Sequence, residues 1–310
     1  MKWGFWVIAL LFSWLSHAGA KVPPHFFLHT TIKMEGFETS DYDRCIIRID
    51  PVSGSVYVLD TESHLLWQYD GQGKLQGKLA VDKLPIEPPV PVNPKVRVTD
   101  FSLSPEGSIF LAEMNTASIY EIDIKGNIKK KIQLENSPMG IIAISHDILI
   151  VFYQTFSQRY ISLLDGSGRV LETLPISEKS GAKRGIEGVQ FSFETPEYFR
   201  LSDHVFFTDW SGTEVSRCTL SGSSLQCKQI VQAEEKAYNM GFDTAQSIFW
   251  FTTETEDRGS KTQVYQAVDL NSKHLLETEP VPSLLQQRGF QHYNRYFTFA
   301  NATLRSYDYE

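Results

Sequence analysis

The sequence predicts an all-β fold, a six-bladed β-propeller closed by its N-terminal strand. Two observations predict it. Six short runs rich in β-branched and aromatic residues recur: Val56–Asp60, Ile109–Glu113, Ile148–Phe152, Val205–Asp209, Ile248–Thr252 and Tyr296–Ala300. Their starts are 53, 39, 57, 43 and 48 residues apart, and the shorter spacings match a propeller blade of about 40–50 residues. Each run is followed by an alternating run that ends at Asp, Gly or Asn, the signature of a strand and hairpin. An open two-sheet sandwich would need no such sixfold regularity.

The N-terminus reads as a secretion signal. Lys2 supplies the positive start, Trp3 to Leu15 is almost wholly apolar, and Ala18-Gly19-Ala20 offers a small-residue cleavage site. The apolar run is about 13 residues, short of the roughly 20 that a membrane-spanning helix needs. The expected division is a signal over residues 1–20 and one propeller domain over 21–310. The mature chain is expected to be secreted or periplasmic, soluble and monomeric.

Each repeat then reads as four strands. An inner strand comes first, often opening with Gly and an apolar residue: Gly140-Ile141, Gly188-Val189, Gly241-Phe242 and Gly289-Phe290, with Cys45-Ile46 and Asp100-Phe101 in the equivalent places. Glycine there suits a strand start crowded by the central channel. The second and third strands follow, then a turn such as Gly71-Gln-Gly73 or Gly166-Ser-Gly168, then the fourth strand. The last repeat stops after its third strand. Phe26–Lys33 is expected to supply the missing one and leave no open edge at the seam. The long spacings carry insertions, Leu84–Pro94 in the first and Ser177–Arg184 in the third.

The chain has three cysteines, and export permits a disulfide. If Gly222-Ser223 form a two-residue type II′ turn, Ser221 faces Ser224 and Cys218 faces Cys227 at a non-hydrogen-bonded position, within bridging reach. Cys45 is then the odd thiol, expected to be buried.

Charge excludes one class of partner. With 29 basic and 37 acidic residues the net charge is -8, which argues against nucleic acid, whose phosphates need a basic patch. Lys129-Lys130-Lys131 reads as a solvated strand edge. No phosphate-binding loop or nucleophile elbow occurs. The scattered histidines read as surface or turn residues, and the aromatic residues as packing between blades.

One polar constellation remains. Asp43, Asp100, Glu187, Asn239 and Arg288 each stand just before an inner strand, where they would gather at the mouth of the central channel. Asp100, Glu187 and Asn239 could hold a Ca²⁺ through oxygen ligands. Arg288 could instead neutralise the acids or orient an anionic substrate. The plainer alternative is a ring of turn residues bonded to backbone amides.

Residues 50–73, with Val56-Tyr-Val-Leu-Asp60 and Asp70-Gly-Gln-Gly73, resemble an NHL repeat. Pro138–Ile144 resembles the opening of that repeat. Val205-Phe-Phe-Thr-Asp-Trp210 with Leu220-Ser-Gly-Ser223 looks more like the YWTD repeats of receptor ectodomains. In periodic form the resemblance covers nearly all of residues 26–310. It implies a propeller and leaves both scaffold and enzyme open. The gluconolactonase-like (regucalcin-like) hydrolases are also six-bladed, with one divalent metal at the channel. Glu35-Gly36 is faintly similar to their opening, and Glu187-Gly188 stands where they place Asn-Gly, while their Ser-x-Gly-x-x-x-Asp segment is absent. The reading is therefore an exported, non-catalytic module that binds a protein or small-molecule ligand at a propeller face. Its alternative is a metal-dependent lactonase or esterase working at the channel. Asn301-Ala-Thr303 is a possible N-glycosylation acceptor between two strands.

Overall fold

A computed structural model describes residues 26–39, 44–50, 52–86, 97–154, 159–175, 198–201, 204–208, 213–257, 260–276, 279–280, 289–292 and 295–309. The proposed signal, residues 1–20, lies outside them. Six antiparallel sheets follow one another along the chain as the blades of a propeller. The described residues include no α-helix, and no helix among them is long and apolar enough to cross a membrane.

The inner strands are Cys45–Ile49, Val98–Leu103, Pro138–Ser145, Tyr198–Leu201, Ala237–Asp243 and Gly289–His292. The fourth of these corrects the sequence expectation. Gly188-Val189 lie outside the described residues, and the blade instead opens ten residues later at Tyr198, with no glycine to mark it.

The ring closes as expected. Phe26–Lys33 pairs antiparallel with Thr303–Tyr309 and becomes the outer strand of the sixth blade. The Phe26 ring then packs against Trp250, Tyr265 and Tyr296, with centroids 5.1, 6.2 and 5.9 Å away. One strand contributed from the chain start thus buries aromatic surface shared by the last two blades, as hydrophobic burial requires.

The core is divided among the blade interfaces. Tyr57, Leu66, Phe101 and Tyr120 pack between blades one and two. Phe110, Ile132, Val151 and Leu164 pack between two and three. Phe199, Phe206, Phe249 and Phe251 fill the fourth interface, and Val58, Trp67, Phe297 and Phe299 the seam. This follows from period-two alternation. The middle strands are buried on both faces, so their neighbouring side chains go to opposite interfaces.

The turns explain the Asp-x-x-Gly pattern. Asp70, Asp123 and Asp165 each accept backbone N–H bonds from the residues two and four positions on, at 2.9–3.1 Å. Gly73, Gly126 and Gly168 take φ of +84°, +85° and +91°, a region that glycine enters without strain. These bonds hold the carboxylates below their ordinary range. Asp165 is drawn furthest, to about 2, first by the Ser167 hydroxyl.

Gly241 is required for a different reason than channel crowding. A Cβ there would meet the Trp250 ring at 2.0 Å, so the indole of the next strand occupies the missing side chain's place.

In the fourth blade Cys218 pairs with Cys227 in register and the two are disulfide-bonded. Ser221 faces Ser224, and of the two residues between them only Gly222 is left-handed, at φ +63°, as type II′ demands. Cys45 keeps its thiol and is buried.

Candidate functional site

The residues named from sequence meet different fates. Asp43, Glu187 and Arg288 lie outside the described residues. Asp100 sits inside its inner strand rather than ahead of it and is 1% exposed. Asn239 also lies within its strand, at a register shift, in the left-handed region at φ +46°. Its Nδ2 is 3.4 Å from Thr252 Oγ1.

Asp100 is the centre of a bridge across the channel. Arg48 from the first blade donates to its Oδ1 at 3.0 Å. The backbone N–H of Ile141 in the third blade donates to Oδ2 at 2.8 Å; the Tyr198 hydroxyl of the fourth blade also donates to Oδ2. Arg48 also donates to the Tyr198 oxygen at 3.1 Å and lies over the Tyr198 and Phe101 rings at 5.6 and 5.7 Å. The first and fourth blades stand opposite each other in a ring of six, so these contacts span its diameter. Gly140 leaves the needed room, since a Cβ there would come within 3.0 Å of the Tyr198 ring and 3.5 Å of Asp100 Oδ2.

Charged donors are expected to shorten and strengthen such bonds. A carboxylate buried this deeply must be paired, because an unpaired one costs several kcal/mol. Both Asp100 oxygens thus serve the bridge. No group of three or more His, Cys, Asp or Glu residues among the described ones could hold a metal ion. Sequence reading missed Arg48 and Tyr198. The available signal was one arginine in the otherwise apolar strand Cys45–Ile49, a position that requires a buried partner.

A second feature lies at the rim, between blades two and three. It is a cleft of about 810 Å³, within the roughly 300–1,000 Å³ of small-molecule sites. One wall is the blade-three face, laid out by register in three rows. Tyr153, Tyr160 and Pro175 form the first row. Val151, Ser162 and Thr173 form the second, and Leu149, Leu164 and Val170 the third. Gln133, Leu134, Glu135 and Asn136, on the path from blade two to blade three, form the opposite wall.

The rows grade from polar aromatic to aliphatic. Tyr153 and Tyr160 stack with centroids 4.8 Å apart and planes 16° from parallel. Burial pushes both phenols up from their ordinary value, and the Glu135 charge raises both further, while an Asn136 hydrogen bond opposes the rise at Tyr160. Ser162 and Thr173 hydroxyls bond to each other at 2.9 Å. Val170, at the far end, is 52% exposed. Glu135 carries the only formal charge among the described lining residues. The nearby Lys130 is spent on the Gly166 carbonyl, and Arg169 on Asp165.

No family model matches this sequence, and no curated protein does. Solved structures do match. Virginiamycin B lyase from Staphylococcus aureus is 13% identical, with a TM-score of 0.51, over 92% of this chain and 99% of that one. Hydrazine synthase of Kuenenia stuttgartiensis is 11% identical, with a TM-score of 0.55, over 85% and 76%. A member of the duf4221 family from Bacteroides vulgatus is 9% identical, with a TM-score of 0.56, over 93% and 98%. At these identities the likeness establishes the propeller fold alone.

Proposed function

We propose that this chain is an exported, non-catalytic propeller that binds a small ligand in the rim cleft between its second and third blades. The observation that carries the reading is internal. In blades one and two, the residue three before the turn aspartate is Trp67 or Tyr120, and the residue five after the turn glycine is Lys78 or Lys131. Each lysine lies over its cross-strand aromatic ring, at 5.1 and 5.9 Å. Blade three holds Ser162 and Thr173 at those positions. Two large side chains are thereby replaced by two small ones, and a cleft stands in their place.

Export is supported by the Lys2–Ala20 signal pattern and by the Cys218–Cys227 bridge, since disulfides persist in oxidising compartments. The channel-centred hydrolase draws no support from Asp100, whose oxygens are engaged by Arg48, Ile141 and Tyr198.

The test is a ligand screen by saturation-transfer NMR, run on the mature protein and on the Ser162→Tyr/Thr173→Lys double variant. Ligands seen with the first and lost with the second are expected. Ligands that ignore the double substitution would overturn the reading, as would turnover of lactones or esters by the purified protein.

A further inference from the structure

We infer that the ligand of this cleft is a primary ammonium on an apolar stem, with the ammonium lodged beside the Tyr153–Tyr160 pair and Glu135. The inference rests on the binding-module reading above and adds the ligand's chemical class.

It follows from how the neighbouring blades satisfy the same place. Blades one and two cover their outer faces with a lysine ammonium of their own, seated on an aromatic ring. Cations are drawn to such rings by the ring quadrupole. In blade three the lysine position is Thr173. The aromatic group is not lost but moves one row, to Tyr160 stacked on Tyr153. The blade therefore keeps the rings, gives up the cation and leaves a space between them and the second blade.

Charge favours the same occupant. Glu135 brings a carboxylate to the end of the cleft where the phenols lie. Among the described residues, an anion there would face that carboxylate without a compensating cation, because Lys130 and Arg169 are engaged at the Gly166–Gly168 turn. A neutral polyol could bond Asn136 and the phenol hydroxyls but would leave the Glu135 charge without a counter-charge.

The rows set the stem. Successive rows on one face of a sheet are about 7 Å apart, so the wall runs about 14 Å from the tyrosines to the aliphatic end. An alkyl stem leaving the ammonium would pass the hydroxyl pair and reach Leu164 and Val170. Burying it there removes apolar surface from water, including that of the half-exposed Val170.

The experiment is an NMR titration of the mature protein at pH 7 with hexylammonium, hexanol and hexanoate, three probes that share one stem. Hexylammonium is expected to bind at least tenfold more tightly than hexanol, and hexanoate more weakly than either. Glu135→Gln is expected to bring the ammonium and alcohol within about threefold of each other. Thr173→Lys, which restores the lysine of the sister blades, is expected to weaken hexylammonium at least tenfold while the melting temperature holds. Equal binding of hexanol and hexylammonium would overturn the inference, as would undiminished ammonium binding in Thr173→Lys. A neutral or anionic ligand lost in Ser162→Tyr/Thr173→Lys would sink the ammonium and leave the binding-module reading standing. Ligands indifferent to that double variant would sink both.

Discussion

In the second blade Tyr120 lies under Lys131 and is itself buried in the core cluster that includes Phe101 and Ile122. In the third blade the same two positions hold Ser162 and Thr173, bonded only to each other across the strands. Strand register, the capping aspartate and the left-handed glycine are common to both blades. A repeat can thus turn a self-covered face into a concave one by exchanging two side chains, with the backbone left as it was. Blades pack through their inner and middle strands, so the outer half of a face can be emptied without opening the core.

The largest expected effect tests whether Tyr120 is a core residue where Ser162 is not. Tyr120→Ser should cost about 3–5 kcal/mol, the usual range for truncating a buried aromatic residue. Ser162→Ala should cost about 1 kcal/mol or less, one neutral hydrogen bond. Urea midpoints of the two variants measure both, and similar losses would erase the distinction between the blades.

The fourth blade extends the contrast, because there a covalent bond holds the equivalent pair of strands. Replacing Cys218 and Cys227 together by serine should cost about 2.5 kcal/mol, the chain-entropy value for so short a loop. The same urea assay reads it, and a loss near zero would show that the hairpin needs no staple.

A smaller effect separates the lysine from its ring. Lys131→Ala should cost about 0.5–1 kcal/mol, typical of an exposed cation–π contact, whereas Thr173→Lys should cost nothing or gain a similar amount. Chemical denaturation with added salt checks both. A destabilising Thr173→Lys would mean that the third blade cannot accept the chemistry of the second.

The smallest effect tests what the two blades share. Asp165 is depressed to about 2 from an ordinary 3.8, and Asp123 is lowered as well, first by the Asn127 side chain. A carboxylate with a depressed folded value stabilises fully above its unfolded value and loses that contribution as pH falls. The melting temperature should therefore not respond to these two groups from pH 7 to about 4, and should fall between about 4 and 2. Both Asp123→Asn and Asp165→Asn should flatten that fall, Asp165→Asn the more. A larger response from Asp123→Asn would reverse that order.

The fold was legible because its signals are local and repeated. Aspartate and glycine at fixed offsets mark the outer hairpins of the first three blades, and the missing sixth outer strand matches Phe26–Lys33. The Cys218–Cys227 register followed from one two-residue turn. The fourth inner strand was not legible, since Gly188-Val189 imitates the pattern of its sisters and Tyr198–Leu201 lacks the glycine. The Arg48–Asp100–Tyr198 bridge was not legible either, because its members lie up to 150 residues apart and meet only once the ring closes. Asp100 was found by its polarity and placed at the channel mouth as a candidate ligand residue, whereas burial makes it a tie between blades. The rim cleft is a different case. It is defined by what blade three lacks, and aligning the repeats on their Asp-x-x-Gly turns would have exposed Ser162 and Thr173 opposite two aromatic–lysine pairs.

The proposed ligand site lies at the rim and not in the channel. A crystal structure of the mature protein soaked in hexylammonium tests it most directly. Electron density for the amine beside Tyr160 and Glu135 is the predicted result. Density in the channel beside Asp100 and Tyr198, with the rim cleft holding none, would contradict it.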